Sequence, residues 1–222
     1  MKIDNQNNLA FKTNIRVVSP NRFRNIIVGL YGKGPLDEIV QFDIVPEIKN
    51  PIFKAFATKV KNIYTKNIRT CTGVLVANKG KEASLFGHFY NSPENVKDTE
   101  ILEPFMKGTN AILVGSKDQF YYSSEVFDTF KEKIKKRNIP MTIMKSLNPD
   151  YEANIAYTSE DDELILCVKN AFKPKEYVHD MTELKKVFRM VKISPTDTIQ
   201  FDTKQKPKLW ERCKVLFKFN SK

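Results

Sequence analysis

The sequence predicts one soluble α+β domain, a layered structure on mixed sheet, and three observations carry that prediction. First, 41% of the 222 residues are hydrophobic and 11% aromatic, enough to bury a core without metals or disulfides. Second, apolar segments of strand period and of helix period are interspersed without strict β-α-β alternation. Third, no apolar run approaches the ~20 residues needed to span a bilayer. Residues 1–222 are therefore read as a single domain.

Along the chain, the first eight residues read as a polar tail. Segments near 10–18, 25–31 and 38–45 are rich in β-branched and aromatic residues. Ser19-Pro20 and Gly32-Lys-Gly-Pro35 punctuate them, and short strands are predicted. Asn50-Pro51 supplies a helix start, followed at helical spacing by Ile52, Phe53, Phe56, Val60, Ile63 and Tyr64. Residues 72–78 and 82–90 read as strands of a hairpin turning at Asn78-Lys-Gly-Lys81. Ser92-Pro93-Glu94 opens a short helix, residues 111–115 form a buried strand, and Val126, Phe127, Phe130 and Ile134 mark a helix ending near Asn138. Residues 140–145, 153–158 and 163–169 are further strands, the last two joined across the acidic turn Ser159-Glu-Asp-Asp162. Asp180-Met-Thr-Glu183 has the form of a capping box and starts a helix carrying Leu184, Val187, Phe188 and Val191. The basic, apolar stretch from Pro207 to Phe219 fits either helix or strand.

The formal charge of +11 is compatible with nucleic acid, an anionic membrane surface or an acidic protein partner. Lysine is spread over the whole chain, however. The densest run, Lys131-Glu-Lys-Ile-Lys-Lys-Arg137, lies on a predicted helix whose apolar positions fall elsewhere, so it reads as a solvated face. No RNA-binding aromatic signature, zinc-finger spacing or basic-zipper pattern accompanies the charge, and nucleic acid is not the expected partner. Cys71, Cys167 and Cys213 are odd in number and irregularly spaced, which fits a reducing compartment. The polar start lacks the apolar core of a signal peptide, so synthesis in the cytoplasm without a cleavable leader is expected.

Several short motifs are set aside. Gly29-Leu-Tyr-Gly-Lys-Gly34 lacks the Gly-Lys-Ser/Thr ending of a phosphate loop and reads as a turn. His179 beside Asp180 is expected at a helix start or on the surface. Asp161-Asp162 belongs to a turn. Two His and three scattered Cys offer no zinc spacing, and neither a metal nor a cofactor is expected.

The best candidate for chemistry is Cys71 with His88. If the hairpin turns through Lys79-Gly80, residue 78 faces 81 and Cys71 falls directly opposite His88. Such partners have Cβ atoms about 4.5–5.5 Å apart on one face. Val74–Leu85 and Val76–Ala83 then share the other, apolar face, while Gly73 and Gly87 flank the pair and leave room for a substrate backbone. A cysteine nucleophile needs its thiolate, which a neighbouring imidazole supplies. A third group must orient that ring, and Thr65, Thr70 or a backbone carbonyl could serve. Backbone N–H groups near Cys71 could hold an oxyanion. The plain alternative is a small buried cysteine beside a structural histidine.

Thr65-Lys-Asn-Ile-Arg-Thr-Cys71, a hairpin and then Gly87-His88 resemble the core of the CheD chemoreceptor glutamine deamidases. In that family a Thr lies six residues before the catalytic Cys and the His seventeen after it, offsets matched by Thr65, Cys71 and His88. The order of elements after the His is also similar, through a helix ending in Asn138-Ile-Pro140 to a β-hairpin, so the resemblance covers roughly residues 60–170. Arg69-Thr70 stand where the family has small residues before the Cys. The same layout is similar to that of bacterial toxins of the cytotoxic necrotizing factor type.

The resemblance implies a mixed or antiparallel β-sandwich core flanked by helices, with N- and C-terminal extensions. It implies a protein-glutamine deamidase with Cys71 as nucleophile, His88 as base and Thr65 orienting the imidazole. It further implies no cofactor and a protein substrate carrying the target glutamine, such as a host small GTPase, with export as a toxin or virulence effector. The other classes are an inactive or different cysteine hydrolase of the same fold, and a basic binding module for nucleic acid or anionic surfaces.

Overall fold

The computed structural model describes residues 14–31, 37–39, 56–57, 61–78, 83–90, 96, 99–100, 102–115, 123–192 and 198–202. The expected N-terminal tail, the hairpin turn at Lys79-Gly80, the helix at Ser92-Pro93-Glu94, the Gly32–Gly34 turn, Cys213 and the stretch 207–219 lie outside these residues.

Two mixed six-stranded sheets form the domain. The first runs in the order β12 (Thr198–Phe201), β1 (Asn14–Val17), β10 (Glu163–Asn170), β9 (Tyr151–Thr158), β4 (Asn62–Ile68) and β2 (Asp37–Ile39). The second runs β11 (Phe188–Lys192), β8 (Met141–Ser146), β7 (Asn110–Gly115), β5 (Thr72–Ala77), β6 (Leu85–Phe89) and β3 (Phe56–Ala57). Their inner faces share one apolar core, including Ile15, Ile63, Leu166 and Ile155 from the first sheet and Leu75, Phe86, Ile112 and Met144 from the second.

Each outer face is covered by a helix. α1 (Pro20–Tyr31) lays Phe23, Ile27 and Leu30 on Tyr64, Ala156, Ile165 and Cys167 of the first sheet. α2 (Ser123–Lys136) lays Val126, Phe127, Phe130 and Ile134 on Val74, Leu85, Leu113 and Ile143 of the second. The result is four layers in the order helix, sheet, sheet, helix, which is the α+β sandwich expected. A third helix, α3 (Met181–Val187), adds Leu184 and Val187 to the inner core.

The hairpin of β9 and β10 forms as predicted, with Glu163 opposite Thr158. α2 ends where expected. Asn138 takes a left-handed conformation, φ 54°, and its N–H donates to the Lys135 carbonyl. The charged residues of the run from Lys131 to Arg137 lie at the surface around buried Ile134, with Lys133 and Arg137 both on Glu103 at 3.1 and 3.2 Å. Asp180 caps α3 by accepting from Glu183 N–H, while Glu183 accepts from the His179 N–H.

Three expectations are corrected. Residues 25–31, read as a strand, belong to α1: Ser19 accepts at its side chain from Arg22 N–H, Pro20 fills the first helical position, and Phe23, Ile27 and Leu30 then fall on one face. The helix expected from Asn50-Pro51 through Tyr64 is not formed at its described positions, because Phe56–Ala57 and Asn62–Ile68 are strands. The helix after Asp180 stops at Val187, and Phe188–Lys192 pair with β8. Sheet hydrogen bonds outweighed helical spacing in the last two cases.

Candidate active site

β4 supplies the first site residue. Thr65 pairs with Ile155 and faces the second sheet. A bulge follows between Thr65 and Ile68, made possible by Asn67 at φ 61°, whose N–H donates to Asn154 Oδ1 at 2.8 Å. The chain then crosses from the first sheet to the second through Arg69, Thr70 and Cys71. Arg69 ties this crossover down: its Nε donates to the Pro149 carbonyl at 2.8 Å, and its guanidinium carbon lies 4.4 Å from the centre of the Phe172 ring.

Cys71 immediately precedes β5 and packs in the inner core with Leu75 and Ala77. His88 lies on β6, two residues after Phe86 of the same core. The expected register is corrected here. Gly73, not Cys71, stands opposite His88, and Val74 and Val76 face Gly87 and Leu85 rather than Leu85 and Ala83. The displacement is two residues, an even number, so side chains keep their faces. Cys71 becomes the diagonal neighbour of His88, at a Cβ separation of up to about 7 Å.

The strongest contact of the site joins the two sheets. Thr65 Oγ1 and His88 Nδ1 are 2.8 Å apart. The other ring nitrogen, Nε2, is buried and has no hydrogen-bond partner. Burial lowers the His88 pKa to about 4 by penalising the charged ring, so the imidazole is neutral at physiological pH. Thr70 Oγ1 lies 3.8 Å from Cys71 Sγ. Thr65, Cys71 and His88 are all 0% exposed, and neither Cys71 nor Cys167 is in a disulfide.

The glycines beside the pair serve packing. A Cβ on Gly73 would come within 2.6 Å of Ile68 Cδ1, and one on Gly87 within 2.2 Å of the Phe89 ring. On the Cys71–His88 face Ile68 already occupies the space expected for a substrate backbone, while Phe89 packs on the opposite face under α2. The face carrying Cys71 and His88 is the inter-sheet core.

Sequence reasoning thus brought together Thr65, Cys71 and His88. It missed Asn154, which holds the bulge through an acceptor on a distant strand, and the anchoring of Arg69 at Pro149 and Phe172. No local signal marks either, since the partners lie 87 and 80 residues away for the two hydrogen bonds. His179 keeps to the surface with its ring 4.0 Å from that of Tyr177. Among the described residues no cluster of His, Cys, Asp or Glu has the grouping to hold a metal ion, and no helix is long and apolar enough to cross a membrane. No protein-family model matches the chain, and no curated protein sequence matches it.

Proposed function

We propose that the protein is a cysteine-dependent amidohydrolase that deamidates a glutamine side chain of a protein substrate, with Cys71 as nucleophile, His88 as base and Thr65 as the group that orients the ring. The observation that carries this reading is the Thr65–His88 bond. It engages Nδ1 and leaves Nε2, on the face shared with Cys71, as a buried nitrogen with no other task. The match of Thr65, Cys71 and His88 to the deamidase offsets adds to it.

The chemistry follows from a neutral pair. With Nδ1–H donating to Thr65, Nε2 carries the free lone pair and can take the Cys71 thiol proton as sulfur attacks the side-chain amide carbon. The C–N bond then breaks, and His88 returns the proton to the departing ammonia. Water attacks the thioester, His88 accepts its proton, and the thiolate leaves and is reprotonated, giving glutamate. Burial keeps the ring neutral and ready to accept a proton, and the same burial weakens it as a base until the site opens to water. Because all three side chains are enclosed, substrate entry requires local opening of the crossover at residues 69–71, and Cys71 and His88 close to hydrogen-bonding distance in the complex.

One observation favours a second reading, a structural Cys–His–Thr cluster without turnover: the complete enclosure just described. Intact-mass analysis of candidate acidic and small signalling proteins, treated with wild-type or Cys71→Ser protein, separates the two. The deamidase reading requires a gain of about one mass unit per modified glutamine that disappears in Cys71→Ser. A panel with no Cys71-dependent gain supports the structural reading.

A further inference from the structure

Building on the deamidase reading of Cys71, we propose that Arg69 recognises an acidic side chain flanking the target glutamine, so that the substrate is a protein segment with Asp or Glu beside its Gln. Arg69 stands two residues before the nucleophile, at most about 7 Å along the backbone. Its guanidinium is fixed on two sides, by the Pro149 carbonyl at Nε and by the Phe172 ring beneath its plane. Both supports are themselves held. The 147–150 turn is closed by Ser146 Oγ donating to Asn148 O and by Asp150 N–H donating to Asn148 Oδ1. Phe172 and Lys173 both donate their N–H groups to Asn170 Oδ1.

The contrast with three other arginines is chemical. Arg16, Arg22 and Arg137 each meet a carboxylate, of Glu163, Asp202 and Glu103. Arg69 meets a carbonyl and an aromatic face instead, and among the described residues no carboxylate pairs with it. One of its five N–H donors is engaged, which leaves the fork geometry that matches a carboxylate. A stacked, half-buried guanidinium without a counter-charge is preorganised for an anion, and its rotamer is already fixed before binding. Phe172, 65% exposed, offers the apolar ledge beside it. The net charge of +11 favours an acidic partner in general.

The test is fluorescence anisotropy of labelled peptides on the Cys71→Ser protein, in which no turnover occurs. The peptides share one scaffold with a central Gln flanked by Glu, by Gln or by Lys. The Glu-flanked peptide is expected to bind about tenfold tighter than the Lys-flanked one at low salt. That preference vanishes in Arg69→Gln and shrinks in Phe172→Ala and Arg69→Lys. Equal binding of the three peptides, a preference that survives Arg69→Gln, or no binding of any peptide overturns the proposal. Should Arg69→Gln fail to fold, the exposed Phe172→Ala decides, an undiminished preference overturning it. A Cys71-dependent mass gain without the preference removes this inference alone, and the preference without a mass gain removes the deamidase reading alone.

Discussion

Cys71 and Cys167 are equally enclosed, each 0% exposed, yet they sit in opposite chemical surroundings. Cys167 is in the middle of β10, opposite Asn154, on the face that α1 covers. Burial under Phe23, Ile27 and Leu30 raises its pKa to about 12, the hydrogen bond with Asn154 offsetting only part of that. Cys71 is on the other side of the sandwich, at a crossover between sheets, with a neutral imidazole of unoccupied Nε2 as its diagonal neighbour. Burial by itself makes a cysteine inert. What distinguishes a candidate nucleophile is a base held nearby and a backbone that ends, rather than continues, a sheet.

Alkylation of the folded protein is the strongest way to break this contrast. At pH 7.5 a thiol of pKa about 12 is ionised on the order of one part in 10⁴–10⁵. Iodoacetamide followed by peptide mapping should therefore modify Cys71, which has a base beside it, faster than Cys167. Equal rates would mean that both thiols react only through global unfolding, and the two sites would then be one kind of site.

The same contrast has a pH signature of opposite sign. The His88 pKa falls from 6.5 to about 4 on folding, so the fold favours the neutral ring. That stabilisation is complete above about pH 6.5 and is lost as pH falls toward 4, where the unfolded chain takes up the proton first. Between pH 7.5 and 4.5 the loss amounts to about 2–3 kcal/mol. Urea unfolding of wild type and His88→Gln at both pH values measures it, and a wild type that loses no more than the variant would refute the assignment. Cys167, with its pKa raised from 9.0 to about 12, acts the other way. Its contribution is whole below pH 9 and is lost as pH rises from there.

What the sequence made legible follows this division. The face of each residue in β5 and β6 was readable, because alternation has a period of two and an even slip preserves it. The register was not. It rested on a two-residue turn at Lys79-Gly80, whereas the observed pairing sets Val76 opposite Leu85, two residues away from that register. Thr65 was identified through its offset from Cys71 even though its surroundings were predicted helical, since Phe56 and Ile63 fit helical spacing as well as they fit strands. α1 was missed because Ile26, Ile27 and Val28 together look like a strand, while the decisive signal was Ser19-Pro20 followed by Phe23, Ile27 and Leu30. Contacts that cross the sandwich, such as Thr65 to His88, belong to the folded state and have no local pattern.

Removing the polar partner at each site sharpens the comparison at a smaller scale. Thr65→Val keeps the shape but leaves both ring nitrogens of His88 buried and unpaired, at a cost of about 1–3 kcal/mol. It also frees the ring to change tautomer, which ¹⁵N imidazole shifts would report. Asn154→Ala should cost a similar amount by a different route, since it strands the Asn67 N–H at the bulge as well as removing the partner of Cys167. Unchanged ¹⁵N shifts in Thr65→Val would remove Thr65 as the orienting group.

The smallest effect is the most discriminating for the surface. Phe172 is the most exposed large hydrophobic side chain among the described residues, at 65%, and its ring supports only Arg69. Phe172→Ala should change stability by no more than about 0.5 kcal/mol by urea denaturation, the range of surface substitutions away from buried features. A core aromatic behaves otherwise: Phe130→Ala, 0% exposed on the sheet-facing side of α2, should cost about 3–5 kcal/mol. A Phe172→Ala loss approaching that of Phe130→Ala would mean that the Arg69 clamp holds the crossover in place as part of the core. A near-zero loss means that the Phe172 ring stands outside the core and that its contact with Arg69 contributes little to folding.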